Sequence, residues 1–546
     1  MKSKIKSAVW IPLLMAIAFV GGWFVALYLS TPKGLSPAQQ KLQNILNLIE
    51  SQYVDDVNLD SLIEYTLPQL LNNLDPHSVY IPADNLEAVN DELSQSFSGI
   101  GVTFTLNNDS IIVLEVLAGG PAEKVGLQSG DRIIAIDGTP TAGVNVTQEY
   151  VFKHLRGEAG TTVDLTIMRN NSDKTYEYQI VRGQIPNRSV EAAYVDENGV
   201  GFVKITKFAR STYEESLKAL MRLLGEGATS IVIDLRGNGG GLLDQALLLA
   251  NEFLPKGELI MSQRGRDPSY NQEFFSDGRG YLQEIPLVVM IDEFTASASE
   301  IFAGAIQDND RGVIIGRRSF GKGLIQNQIT LPDSSAVRLT VARYYTPSGR
   351  SIQKQYSMGH AETYEQEMLH RYETGEMETA DSIKVNLNEA YKTLNGRTVY
   401  GGGGIIPDVF ISIKDSTYVT PYLTKVINAG LFQQFALNYV SDHGTALAKV
   451  KTVDDLLKQL PSDDMLLNTF VDYCNSEAKI RKQWAYINQS SPLIVNILKA
   501  MIARDTLGPS AYYQIINKYD AGVERAIQEV TGDGSTPPIK QGFTPK

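Results

Sequence analysis

The chain has 546 residues, with 49 Lys plus Arg against 62 Asp plus Glu and a net charge of −13. That length suggests roughly three or four folded units, and 43% hydrophobic against 20% charged residues excludes global disorder. The acidic balance argues against a nucleic-acid partner, whose phosphates need a concentrated basic face.

Ala8 to Leu29 is an uncharged stretch of 22 residues preceded by Lys2, Lys4 and Lys6. As a helix it would be about 33 Å long, enough for a bilayer core. The basic flank predicts that everything after Ser30 lies outside the cytoplasm. No A-x-A cleavage site follows, which favours an uncleaved anchor over a signal peptide. Ser36-Pro37 starts a helix, with Leu42, Ile45, Leu46, Ile49 and Tyr53 along one face. A second helix is expected from Asp60 to Leu74. The pair is too short to stand alone, so it is expected to pack on a neighbouring domain or a second subunit.

From Phe97 to about Gly183 short β-type runs alternate with glycine turns: Ile111–Val116, Arg132–Ile136 and Val163–Met168, with one helical stretch near Val146–Leu155. Ser98-Gly99-Ile100-Gly101-Val102 and the segment 120–138 stand in the order of a PDZ domain. This part of the chain resembles that family, in which such a loop binds a peptide carboxylate. Glycines let successive N–H groups turn toward one acceptor, and the next strand offers an edge for peptide addition.

Residues 185 to about 415 read as an α/β domain. Buried-strand runs (231–233, 286–291, 313–315) alternate with helical stretches at Tyr213–Leu224, Leu242–Leu254 and Ser297–Gln307. A polar excursion spans Gln355 to Gly396. Helical patterns follow at Leu423–Val440, Val453–Leu460, Met465–Cys474 and Pro492–Arg504. The end, from Gly532, is a Gly/Pro/Thr tail expected to be disordered.

Three segments of the α/β domain could carry chemistry. The strand ending at Asp234 runs into Arg236-Gly237-Asn238-Gly239-Gly240-Gly241 and an apolar helix, which suits a phosphate or a transient oxyanion. Thr295 to Phe302 places Ser297 at a strand-to-helix turn. Ser297 with Glu300 is also an S-x-x-E capping box, and on this segment alone a plain helix cap is favoured over a nucleophile. Gly316 to Gly323 spells GxxxxGK but lacks the next Ser or Thr, and the alternating stretch from Leu324 to Thr330 is strand-like, so a nucleotide loop is excluded. There remains Lys322 among glycines, with Gln326 on the same strand face. The single cysteine, Cys474, excludes an internal disulfide and a CxxC pair, and is expected as a buried thiol. None of the five histidines stands at HExxH spacing, so a zinc hydrolase is poorly supported; no metal and no cofactor is expected.

Together these segments resemble the carboxyl-terminal processing proteases, the S41 family of Ser-Lys peptidases. The resemblance covers roughly residues 40 to 410. It is carried by Ser297 and Lys322, 25 residues apart, Gln326 four further on, and the stretches 74–78, 298–302, 307–308, 320–323, 345–350 and 404–408. It implies an α/β peptidase core with an inserted, mainly β PDZ domain, here with an N-terminal transmembrane helix and a helical C-terminal extension. The expected division is 1–30 anchor or signal, 31–95 helical region, 96–184 PDZ domain, 185–415 peptidase domain with the excursion 355–396, 416–531 helical region and 532–546 tail.

The resemblance also implies roles. Ser297 would attack the scissile carbonyl, Lys322 would take its proton, and Gln326 would orient the amine. Ala298 with Gly239 or Gly240 would hold the oxyanion, and Glu300 and Asp308 would support the site. Gly99, Ile100, Gly101 and Val102 would bind the substrate's tail, and Arg156 would couple that binding to catalysis. The implied partners are exported proteins and peptides with apolar C-terminal tails, with the enzyme held as a single-pass protein of the bacterial inner membrane facing the periplasm, or secreted if the leader is cleaved. A homo-oligomer is left open. The rival readings are a catalytically silent PDZ scaffold and a crotonase-like acyl-thioester enzyme. Intact Ser297, Lys322 and Gln326 argue against the first; the PDZ domain and the Lys322 strand argue against the second.

Overall fold

A computed structural model describes residues 36–532 except 92, 95, 108–109, 118, 170–173, 360 and 414–418. The expected membrane helix at Ala8–Leu29 and the tail from 533 lie outside the described residues. Among the described residues no helix is long and apolar enough to cross a membrane.

The described residues from Ser36 to Leu71 form a unit of their own. Its first helix, Pro37–Gln52, starts with a capping box: Gln39 N–H donates to Ser36 Oγ at 3.3 Å, and Ser36 N–H to Gln39 Oε1 at 2.8 Å. No residue of this helix is buried. The second, Leu59–Asn72, ends two residues before the expected Leu74.

The expected PDZ segment is an antiparallel sheet of the strands Val102–Asn107, Ser110–Val116, Arg132–Ile136, Thr162–Met168 and Thr175–Val181, in that order, with Thr139–Pro140 paired to the third. Val163, Leu165 and Ile167 alternate inward and pack with Ile111, Val113 and Ile133. The helix Gln148–Leu155 covers them; Thr147 Oγ1 caps it by accepting from Tyr150 N–H at 3.2 Å. Chain entry and exit, Ser96–Gly99 and Gly183–Pro186, pair with each other, as an insertion requires.

The α/β core is a six-stranded sheet in the order Val190–Val195, Val200–Ile205, Ser230–Asp234, Leu287–Ile291, Val313–Gly316, Val409–Phe410. The first pair is antiparallel and the rest are parallel. Every residue of the two central strands is buried, because both faces are covered. One face carries Thr212–Gly225, Leu243–Phe253 and Ala298–Asp308, close to the expected spans. The first of these turns Ser216, Ala219, Leu220 and Leu223 inward, an i, i+3, i+4, i+7 stripe. On the other face Val232, Val288, Met290 and Ile315 pack against Val523 and Ala526 of the helix Ala521–Thr531. The sequence reading named no helix after Arg504. This last helix is part of the core sandwich.

A second sheet pairs Ala336–Tyr345 with Val79–Ile81, Leu259–Gly265 and Leu324–Thr330; the strand expected after Lys322 is therefore present. The excursion 355–396 folds back onto the domain through its helix Ala361–Glu373. Arg318 pairs with Glu376 at 2.6 Å, and Arg371 pairs with the same carboxylate at 2.8 Å. A hairpin of Ala390–Lys392 and Thr398–Tyr400 carries it past its expected end.

The C-terminal helices have a core of their own, including Tyr422, Phe432, Phe435, Phe470, Ile487 and Leu498. Cys474 is buried there, which pushes its thiol up to about 12. Two expectations are corrected. The expected helix Leu423–Val440 is two, Pro421–Asn428 and Leu431–Leu447, broken at Gly430 with φ 65°. Pro492 does not start a helix but lies inside Trp484–Leu507, where packing of Ile494, Val495 and Leu498 outweighs the missing donor.

Candidate active site

Ser297 precedes the helix Ala298–Asp308 at φ 56°, ψ −117°. That backbone is strained for any residue with a Cβ, and such strain concentrates at functional turns. Ser297 N–H donates to Glu300 Oε2 at 2.8 Å, which is the glutamate's half of the capping box. Ser299 is different: it is fully buried, and its Oγ donates to Asn238 O at 3.1 Å.

The glycine loop runs directly against this turn. A Cβ added at Gly240 would lie 2.6 Å from Ala296 O and 2.8 Å from Ser297 Cβ, so only glycine allows the approach. Asn238 ties the two segments together by accepting from Ala296 N–H at 3.0 Å through its carbonyl. Its side-chain Oδ1 accepts from Gly240 N–H at 2.9 Å. Gly240 N–H is thus engaged within the loop in this structure. Gly239, by contrast, is exposed.

Lys322 lies in the loop two residues before the strand Leu324–Thr330 of the second sheet, and Gln326 lies on that strand. The partly buried Lys322 Nζ donates to Gln326 Oε1 at 3.1 Å, and Gln326 Nε2 donates to His77 O. The His77 carbonyl thus fixes which end of the amide faces the lysine. Burial lowers the Lys322 pKa, Arg338 lowers it further, and Glu300 and Asp75 act the other way.

Glu300 links these parts. Fully buried, it accepts from Ser297 N–H and Lys322 N–H through Oε2, each at 2.8 Å, and from Gly321 N–H at 2.8 Å and Ser319 Oγ through Oε1. Burial raises its pKa, opposed by those hydrogen bonds.

Other expected residues lie elsewhere. Asp308 is at the far end of the Ser297 helix, buried in an ion pair with Arg350 at 2.8 Å and accepting from Ser348 N–H at 3.2 Å. Eleven residues of helix put it about 16 Å along the axis from Ser297, so its contacts are to the helix end and not to the site. Arg156 stands at the root of the β insertion. Its guanidinium lies 5.0 Å from the Phe152 ring centre and 5.1 Å from that of Phe97, with Asp91 at 3.8 Å. Gly99 to Val102 face a groove of about 1600 Å³ that Phe104, Phe152 and Leu155 also line, together with charged residues that include Glu191, Arg222 and Arg504.

Sequence reasoning gave no role to three neighbours. His77 Nε2 is 2.7 Å from Tyr364 OH of the excursion helix, and burial, then Lys322, lowers its pKa to about 4. Tyr344 OH donates to Ser297 O at 3.2 Å. Asp75 accepts from Ser78 Oγ at 2.6 Å and Thr340 Oγ1 at 3.2 Å, docking the 75–78 loop on the sheet beside Gln326. The sequence signal for Asp75 and His77 was the family-like stretch 74–78; Tyr344 stands just before the stretch 345–350.

The family model for peptidase family S41 matches residues 199–364, that for the PDZ domain 98–180, and a family of unknown function, DUF8443, 422–508. The chain is 35% identical over 388 residues to a carboxy-terminal-processing protease of Bartonella bacilliformis, covering 65% of this chain and 88% of that protein. It is 31% identical over 356 residues to the carboxy-terminal processing protease CtpB of Bacillus subtilis, covering 64% of this chain and 72% of that one. With a peptidase domain, a PDZ domain and a helical C-terminal region, the chain belongs to the carboxy-terminal processing serine proteases of peptidase family S41.

Proposed function

We propose that this protein is an endopeptidase that cleaves exported proteins near their C-termini with Ser297 as nucleophile and Lys322 as general base. The observation that carries this reading is the shared acceptor Glu300 Oε2, which fixes the backbones of Ser297 and Lys322 to one atom. Neutral Lys322 takes the Ser297 hydroxyl proton as Oγ attacks the scissile carbonyl, then gives it to the leaving amine; water hydrolyses the acyl-enzyme by the same route reversed. Gln326 orients the amine without adding charge. The oxyanion is held by Ala298 N–H at the helix start and by Gly239 N–H, the glycine of the loop pair that remains exposed. Asp308 supports the site at one remove, by fixing the far end of the Ser297 helix through Arg350.

Apolar C-terminal tails enter the groove beside Gly99, Ile100, Gly101 and Val102, where Phe104, Phe152 and Leu155 offer apolar contacts. Arg156, joined to Asp91 at the root of the insertion, couples tail binding to the peptidase domain. The stretch Ala8–Leu29 with its lysine flank anchors the chain in the inner membrane and places the site in the periplasm. Incubating the purified protein with a substrate bearing an apolar tail, and with the same substrate lacking it, tests the reading. Cleavage near the tail that is lost in Ser297→Ala supports it; cleavage that persists in Ser297→Ala refutes it.

A further inference from the structure

The glycine loop beside Ser297 is held from a distance by the C-terminal end of the chain. Arg236, the first residue of that loop, donates from Nε and Nη2 to Asp234 at 3.0 and 2.8 Å, and from its own N–H to Asp234 Oδ1 at 2.9 Å. Its Nη1 donates to Asp520 Oδ2 at 2.8 Å, a residue 284 positions away in sequence. The other oxygen of Asp520 accepts from Gly522 N–H at 2.9 Å and Val523 N–H at 3.1 Å, so the same carboxylate caps the helix Ala521–Thr531. That helix is seated on the sheet by Val523 and Ala526. Lys204 Nζ donates to Arg236 O at 2.5 Å and pairs with Asp234 at 3.2 Å. Burial would raise the Asp234 pKa, but Arg236 and Lys204 prevail and hold it at about 2, so the cluster stays charged.

Two roles are open to this contact: fastening the helix to the sheet, or fixing the loop. Fastening is already achieved by the apolar face of Val523 and Ala526, which leaves the charged contact free to act on the loop. Gly237 N–H donates to Asp292 Oδ1, Asn238 is tied to Leu235, Ile205, Ala296 and Ser299, and Gly240 accepts from Phe208 N–H and donates to Asn238 Oδ1. Arg236 is the one long side chain there, and Asp520 takes one edge of its guanidinium while Asp234 takes the other. We propose that Asp520 is a positioning residue for the reaction: through Arg236 it sets the height of the loop, and so the aim of Gly239 N–H at the oxyanion. This rests on the reading of Ser297 and Gly239 given above.

The test uses the full chain and a short peptide substrate, which separates catalysis from tail binding, with kcat expressed per titrated active serine. Asp520→Asn keeps an oxygen to cap the helix but removes the charge facing Arg236. It is expected to lower kcat roughly tenfold or more, since small misplacement of reacting groups is costly. KM and Tm stay near the parent values, and affinity for a peptide aldehyde, whose adduct oxygen occupies the oxyanion position, falls in parallel with kcat. Asp520→Glu restores most of kcat. If Asp520→Asn does not fold, Arg236→Gln, which leaves the cap intact, is expected to show the same fall. Parent-like kcat and aldehyde affinity in the folded variant, or a lower Tm with unchanged kcat per active serine, overturns the proposal. The control is Ser297→Ala: if it still cleaves, the underlying reading fails, whereas an inactive Ser297→Ala beside a parent-like Asp520→Asn refutes this inference alone.

Discussion

Ser297 and Lys322, 25 residues apart, donate their backbone N–H groups to the same carboxylate oxygen, Glu300 Oε2, each at 2.8 Å. One buried acceptor therefore sets the spacing of the two chain segments that carry the proposed nucleophile and base. In Glu300→Gln one of the two oxygens becomes an NH₂ group, which cannot accept from the donors that converge there. Each buried donor left without a partner costs about 1–3 kcal/mol. Glu300→Gln is expected to lower Tm by several degrees and kcat by at least tenfold, with a smaller change in KM; thermal melts and steady-state kinetics on a short peptide check both.

The two serines of the turn make separable predictions. Ser297→Ala is expected to abolish cleavage while leaving the melting curve nearly unchanged, since its side chain is partly exposed. Ser299→Ala removes a buried hydrogen bond to Asn238 O, at a cost of about 1 kcal/mol in stability, and is expected to retain measurable cleavage. Loss of activity in Ser299→Ala alone, with Ser297→Ala active, would reverse the assignment.

Gly240→Ala is expected to be more damaging than its size suggests. The added methyl would sit 2.6 Å from Ala296 O at a backbone with φ 99°, so the loop must retreat from Ser297. Strain of this kind costs about 1–3 kcal/mol. Activity is expected to fall at least a hundredfold, as measured by kcat/KM, with a reduced Tm. Full activity in this variant would show that the close approach is not needed.

Much of this architecture is legible in the sequence because its signals are local. The apolar runs 231–233 and 286–291 followed by helical stretches mark a parallel sheet, and S-x-x-E marks the start of the Ser297 helix. The S-x-x-E pattern, however, reveals only half of what Glu300 does. Its other donors come from Ser319, Gly321 and Lys322, which reach it through folding and not through spacing. The engagement of Gly240 N–H by Asn238 Oδ1 depends on a side-chain rotamer, which no pattern encodes. Val523 and Ala526 look like any amphipathic pair, so nothing local tells that they complete the core. The pairing of Arg236 with Asp520 spans 284 positions and leaves no local trace.

The PDZ loop makes a prediction of its own. Gly101 has φ 83°, and a Cβ there would lie 3.3 Å from Gly120 Cα. Gly101→Val is expected to distort the loop and to lower kcat/KM for tailed proteins at least tenfold more than for short peptides. Equal losses on the two substrate types would count against tail selection by the groove.

The most direct test of the Ser-Lys account is kcat/KM measured from mildly acidic to alkaline pH for the parent and for Lys322→Arg. Burial and Arg338 favour the neutral amine, so Lys322 loses its proton below the 10.5 of an ordinary lysine. Because the neutral form is the base, the parent rate is expected to rise with pH along a single ionisation and to level off below that value. Lys322→Arg keeps the charge but cannot supply a neutral base in this range, and is expected to be inactive at every pH. Substantial activity in Lys322→Arg, or a parent profile that is flat across the range, would mean that another group accepts the serine proton.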